Sequence, residues 1–244
     1  LDEIPAVLKA ESDALAAGLW SYLRLEGPED PAALEGADQD RLTRIQRARS
    51  DAVRILRESY MASRAAWCVM PAATDGWARA LLGPRAAAGD LWRILSPILR
   101  LGEDEPGAAL RSHMKLLDRR AAAMNRLRLR ELRLAGPGTD LRVRLAPESR
   151  WLGGSDRTPD GRVFAPNIPT EEVFATPDFR GVEGTAALTR PVRIRGSLVK
   201  GGLLRFERGV VVDCSAEAGE DALRSFLDTD PGCRRLGEIG RGGE

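Results

Sequence analysis

The chain is 244 residues long, 43% hydrophobic and 30% charged, a composition that excludes a disordered or fibrous protein and fits an ordinary globular one. That length holds one large domain or two modest ones with real cores. A net charge of +1 leaves no excess of positive charge for a generic polyanion binder, and no apolar run approaches the ~20 residues needed to cross a bilayer.

Leu8, Leu15 and Leu19 recur at helical spacing, and Trp20, Tyr22 and Leu23 predict a short strand after them. GPEDP at 27–31 is turn chemistry. A helix is predicted from Asp40 to Met61, with Leu42, Ile45, Val53 and Leu56 on one stripe among arginines and acids. Trp67 to Met70 reads as a short buried strand stopped by Pro71. This alternation suggests an α/β layer. The chain contains no GxGxxG and no GxxxxGK[ST], so a nucleotide site has no support.

A second long helix is predicted from Pro106, a residue suited to a first helical turn, to about Arg133. One face carries Leu110, Leu117, Met124 and Leu127, and the other carries Arg111, Lys115, Arg119, Arg120, Arg126, Arg128 and Arg130. A solvated face explains those charges better than an RNA-binding helix does, because no aromatic stacking residues are interleaved. His113, the only histidine, lies on this helix. Its helical neighbours Leu110, Met114, Leu116 and Leu117 offer no ligand set, so a structural or surface role is expected. Cys68, Cys214 and Cys233 are odd in number and lack CxxC spacing; they are expected to be free thiols in a reducing cytoplasm.

Beyond Leu134 the composition turns to β. GPGTD at 136–140 lies between Leu132 and Leu134 on one side and Leu141, Val143 and Leu145 on the other, which reads as a hairpin. Trp151 to Arg162 reads as a loop. Pro191–Ile194, Gly202–Phe206 and Val210–Cys214 read as strands, and Gly219–Leu227 as a helix. The expected fold is an α/β N-terminal domain over residues 1–135, then an α+β domain over 136–244 with a curled, mostly antiparallel sheet.

The densest run of special residues is FAPNIPTEEVFATPD, Phe164 to Asp178. Its three prolines, Pro166, Pro169 and Pro177, oppose a helix and favour an extended segment. Successive side chains of an extended chain point to opposite faces, so Glu171 and Glu172 cannot both face one site. A surface loop with two solvated acids explains the composition equally well.

NIPTEEVFATPD, with WLGGSDRTPDGRVFAP before it and VEGTAALTRP, LRFERG and RRLGEI after it, resembles the thermophilic aminopeptidase family of metallopeptidases, from about Trp20 onward. The resemblance implies a dinuclear site holding two divalent metal ions (Zn, Co or Mn), peptide substrates cleaved at the N-terminus, a homodimer and a cytoplasmic location, with no nucleic acid or membrane partner. It implies that the metal ligands include Glu172, the second acid of the pair, and Glu238 of the Leu-Gly-Glu motif. Ala175 stands where the family usually has threonine. The family's other ligands, two histidines, an aspartate and a tyrosine, lie downstream of the Leu-Gly-Glu motif, and this sequence continues there only through residues 239–244. The family also begins with a longer segment upstream of Leu1. The expectation is therefore an aminopeptidase represented by a chain incomplete at both ends and inactive as it stands. The alternative is a non-catalytic remnant serving as a folded or dimerising module. If Glu172 faces the site, Phe174 shares its face, Val173 points the other way, and Glu171 is exposed or paired with backbone.

Overall fold

A computed structural model describes residues 3–34, 36–194 and 196–242. Leu1 and the last two residues of the IGRGGE tail, Gly243 and Glu244, lie outside the described residues. In chain order the first elements are α1 (Glu3–Ala17), β1 (Tyr22–Glu26), α2 (Gln39–Ala52), α3 (Arg54–Met61), β2 (Trp67–Pro71), α4 (Asp75–Leu82), α5 (Ala88–Ile98) and α6 (Pro106–Leu127). Then come β3 (Glu131–Gly136), β4 (Thr139–Leu145), β5 (Asp156–Arg157), β6 (Val163–Phe164), β7 (Glu172–Ala175) and β8 (Pro177–Ala187). The chain finishes with β9 (Val192–Ile194), β10 (Ser197–Val199), β11 (Leu203–Glu207), β12 (Val210–Ser215), α7 (Glu220–Leu227) and β13 (Ile239–Gly242). The fold is mixed α and β, with seven helices among the described residues and sheets that are antiparallel except for one pair. It forms two compact units: Leu1–Pro31, Ala37–Asp118 and Gly154–Glu171 make one, and Ala32–Gly36, Arg119–Gly153 and Glu172–Glu244 the other.

In the first unit β1 and β2 pair in parallel, from Tyr22 opposite Trp67 to Glu26 opposite Pro71. A parallel pair needs a long crossover, and here α2 and α3 supply it. The single helix expected over Asp40–Met61 is broken at Val53 (φ −98°, ψ 9°), a β-branched residue with lower helix propensity. Tyr60 of α3 fixes this layer: its ring stacks on Tyr22 at 5.3 Å, its hydroxyl donates to the Trp20 carbonyl, and its own carbonyl accepts from the Trp67 indole at 3.0 Å.

Helices α4 and α5 were not distinguished by sequence spacing, although both carry starting signals. The Thr74 hydroxyl caps α4 by accepting the Trp77 N–H at 3.2 Å, and the Asp90 carboxylate accepts the Ala87 N–H at the start of α5 at 2.8 Å. Ala78, Leu91, Leu95 and Leu99 pack between them with Trp77, Trp92 and Ile168. Gly76 permits a close crossing, since a Cβ there would fall 1.4 Å from the Glu29 carbonyl oxygen. The stretch expected to be only loop, Trp151–Arg162, contributes β5, which pairs with β6.

In the second unit α6 ends at Leu127 rather than near Arg133, because Arg128 takes a left-handed φ of 49° and the chain passes into β3. The main sheet has the order β12-β11-β8-β4-β3. On β4, Leu141, Val143 and Leu145 are buried while Arg142 and Arg144 face out, the period of two that its sequence displays. Val143 sits opposite Val182, and both are fully buried. Ladder irregularities at Val143/Leu145 and Arg205/Phe206 bend the strands locally. Helix α7 buries Leu223 and Leu227 against this layer. The tail after Glu238 forms β13 and pairs with β7.

Candidate metal centre

Strand β7 is held on both edges. Phe174 exchanges two backbone hydrogen bonds with Leu152, at 2.9 and 2.8 Å. On the other edge β13 runs antiparallel, with Ile239 opposite Ala175 and Gly242 opposite Glu172. The alternation of an extended chain then fixes which side chains share a face. Val173 and Ala175 are buried at 3% and 1% exposure, and Glu172 and Phe174 lie on the other, more open face.

The Glu172 carboxylate lies over the neighbouring strand. A Cβ placed on Gly240 would fall 2.2 Å from Glu172 Oε2, so that position accommodates the carboxylate because it is glycine. Glu238 lies two residues before Gly240, at the entry to β13. Partial burial, and after it the negative charge of Glu172, push the Glu238 carboxyl above its ordinary value. The structure therefore brings Glu172 and Glu238 into each other's field, although 65 residues separate them in sequence (positions 173–237).

Glu171 is engaged elsewhere, in the first unit. Its carboxylate accepts from Arg100 Nη2 at 2.8 Å and lies 3.2 Å from His113 Nε2, which itself lies 2.8 Å from the Thr170 carbonyl. With the proton on Nε2, the imidazole donates to the Thr170 carbonyl. Glu171 is exposed, at 51% for its side chain, as expected, and is in addition ion-paired with Arg100 and beside His113. His113 is 10% exposed and serves the backbone just ahead of β7. Neither Arg100, 71 residues from Glu171, nor the His113 contact carried a local sequence signal.

Two carboxylates offer hard oxygen donors to a divalent cation. They do not complete the shells of two ions, because among the described residues no group of three or more His, Cys, Asp or Glu comes together. The cysteines do not contribute: all three are free, and burial pushes each thiol above its ordinary value, away from the thiolate form that binds metal. Among the described residues no helix is long and apolar enough to cross a membrane.

The pattern of the Thermophilic metalloprotease (M29) family matches residues 1–240. The chain belongs to that family. It is 41% identical over 213 residues to Aminopeptidase T of Thermus aquaticus, which covers 86% of this chain and 52% of that protein. It is 35% identical over 240 residues to Aminopeptidase 2 of Geobacillus stearothermophilus, covering 97% of this chain and 58% of the relative. Wild-type AmpT from Thermus thermophilus superposes with a TM-score of 0.86 at 38% identity, covering 96% of this chain and 59% of that one. The chain spans a little over half the length of these relatives.

Proposed function

We propose that the chain belongs to a metal-dependent aminopeptidase that releases N-terminal residues from peptides, working as a cytoplasmic homodimer with two divalent ions (Zn, Co or Mn). In this reading Glu172 and Glu238 each give a carboxylate to the metal centre. The observation that carries it is their approach across β7 and the start of β13, in a chain of a metalloprotease family. A pair of metal ions supplies Lewis acidity and an activated water for peptide hydrolysis. This chain's own part is to hold two oxygen donors on braced backbone, with Gly240 leaving room for one of them.

A second reading, a folded or dimerising module without chemistry, is favoured by the lack of a third donor beside the two acids among the described residues. The reading frame beyond residue 244 separates the two. A frame that continues through two histidines and an aspartate supports the enzyme; a stop codon supports the module. The product of a continuing frame should cleave a leucyl chromogenic substrate with added Zn, Co or Mn, and lose that activity in Glu172→Gln and in Glu238→Gln. Full activity in either variant would rule out its carboxylate as a required ligand.

A further inference from the structure

The second unit contains a cavity of about 620 Å³ unrelated to Glu172 and Glu238, within the usual volume of a small-molecule site, roughly 300–1,000 Å³. Its lining includes the apolar residues Leu129, Leu145 and Trp151 and four arginines, Arg128, Arg130, Arg144 and Arg150. No acid is among the lining residues.

The four cations are not equivalent. Arg144 is neutralised by Asp178 at 2.8 Å. Arg128 sits just past the C-terminus of α6, where its charge offsets the helix dipole. Arg130 and Arg150 remain: among the described residues neither side chain has an ion pair or a hydrogen bond. Their backbone is nevertheless fixed. The Arg130 carbonyl accepts the Leu145 N–H at 2.8 Å, tying it to β4. The turn leading to Arg150 is tied down by Ala146 N–H on the Thr176 carbonyl at 3.1 Å, and by Thr176 N–H on the Ser149 hydroxyl at 3.0 Å. Next to it, Asn125 brackets Trp151, donating to its carbonyl and accepting its N–H, both at 2.9 Å.

Guanidinium groups match carboxylate and phosphate geometry through paired hydrogen bonds, and a concave wall strengthens the field of an uncompensated charge. We propose that this cavity binds a carboxylate or phosphate carried on a small apolar body, with Arg130 and Arg150 taking the anion and the more open Leu129 and Pro147 the body. The proposal is independent of the metal centre and of any peptidase activity.

The test is the melting midpoint of the 244-residue chain, titrated separately with 4-phenylbutyrate and phenyl phosphate, with 4-phenylbutyramide as the uncharged control. At least one acid should raise the midpoint saturably and the amide should not; the tighter acid identifies the preferred group. Arg130→Gln combined with Arg150→Gln should weaken that binding roughly tenfold or more. Both residues are exposed, so the ligand-free midpoint should barely move. Arg111→Gln, an exposed arginine outside the cavity, should bind as the parent does. Equal binding of acid and amide, no response to either acid, unchanged binding in the double variant, or an equal loss in Arg111→Gln would each overturn the proposal.

Discussion

Two adjacent acids with opposite obligations define the chain at the scale of the residue. Glu171 is ion-paired with Arg100 and lies beside His113, so Glu171→Gln removes a charge that a guanidinium needs; it should cost about 1 kcal/mol, the usual size of a half-exposed charge-assisted contact. Glu172 makes no ion pair among the described residues and adds repulsion at Glu238. Glu172→Gln should therefore be neutral or slightly stabilising with chelator present. Thermal melts of the two variants beside the parent decide both expectations, and a large loss in Glu172→Gln would show a structural partner instead. The contrast was half legible in the sequence. Period two in an extended segment separates neighbouring side chains, and the prolines around Glu171 and Glu172 indicated an extended segment. The partners of Glu171 were not legible, because long-range contacts leave no trace in spacing.

Among the elements, the readable ones announced themselves by alternation or by a turn. Leu141, Val143 and Leu145 predicted β4, and GPGTD predicted the turn joining it to β3. The Asp40–Met61 stripe was read correctly as helical but not as broken, because its apolar spacing passes through Val53 without interruption. Strand β13 was missed for a physical reason: Ile-Gly-Arg-Gly has the composition of a loose end, since glycine is depleted in strands. The backbone pairing with β7 and the room needed by the Glu172 carboxylate override that propensity. Helix α7 offers a test of its own start. Its N-cap is Gly219, which supplies no side chain, and Glu220 instead ties the preceding turn to the helix by accepting the Ala216 N–H at 3.0 Å. The Ala216 N–H first, and then the Arg224 guanidinium, hold the Glu220 carboxyl below its ordinary value. A depressed carboxyl pKa stabilises the fold above its unfolded value, and that stability is lost as pH falls through the folded value. Glu220→Gln should thus melt below the parent at neutral pH, and the two curves should converge under acid, below about pH 4. A gap that stays constant into acid would show that charge is not the cause.

For the whole molecule, family membership rests on separated motifs in the right order, which is why it was legible from residues alone. The proposed metal centre is less complete: Glu172 and Glu238 lie in each other's field, and among the described residues no group of three or more possible ligands comes together. By itself the 244-residue chain should therefore show no turnover of a leucyl substrate with Zn, Co or Mn, since a partial shell cannot hold two ions in working geometry. It should still bind a hard cation weakly through Glu172 on β7 and Glu238 just ahead of β13. The most direct test is manganese(II) binding to the purified chain, read from the loss of the free-ion electron paramagnetic resonance signal. Glu172→Gln and Glu238→Gln should each weaken binding roughly tenfold or more, while Glu171→Gln should bind as the parent does. Parent-like binding in Glu172→Gln or Glu238→Gln, or an equal loss in Glu171→Gln, would contradict the assignment of this pair as the chain's metal ligands.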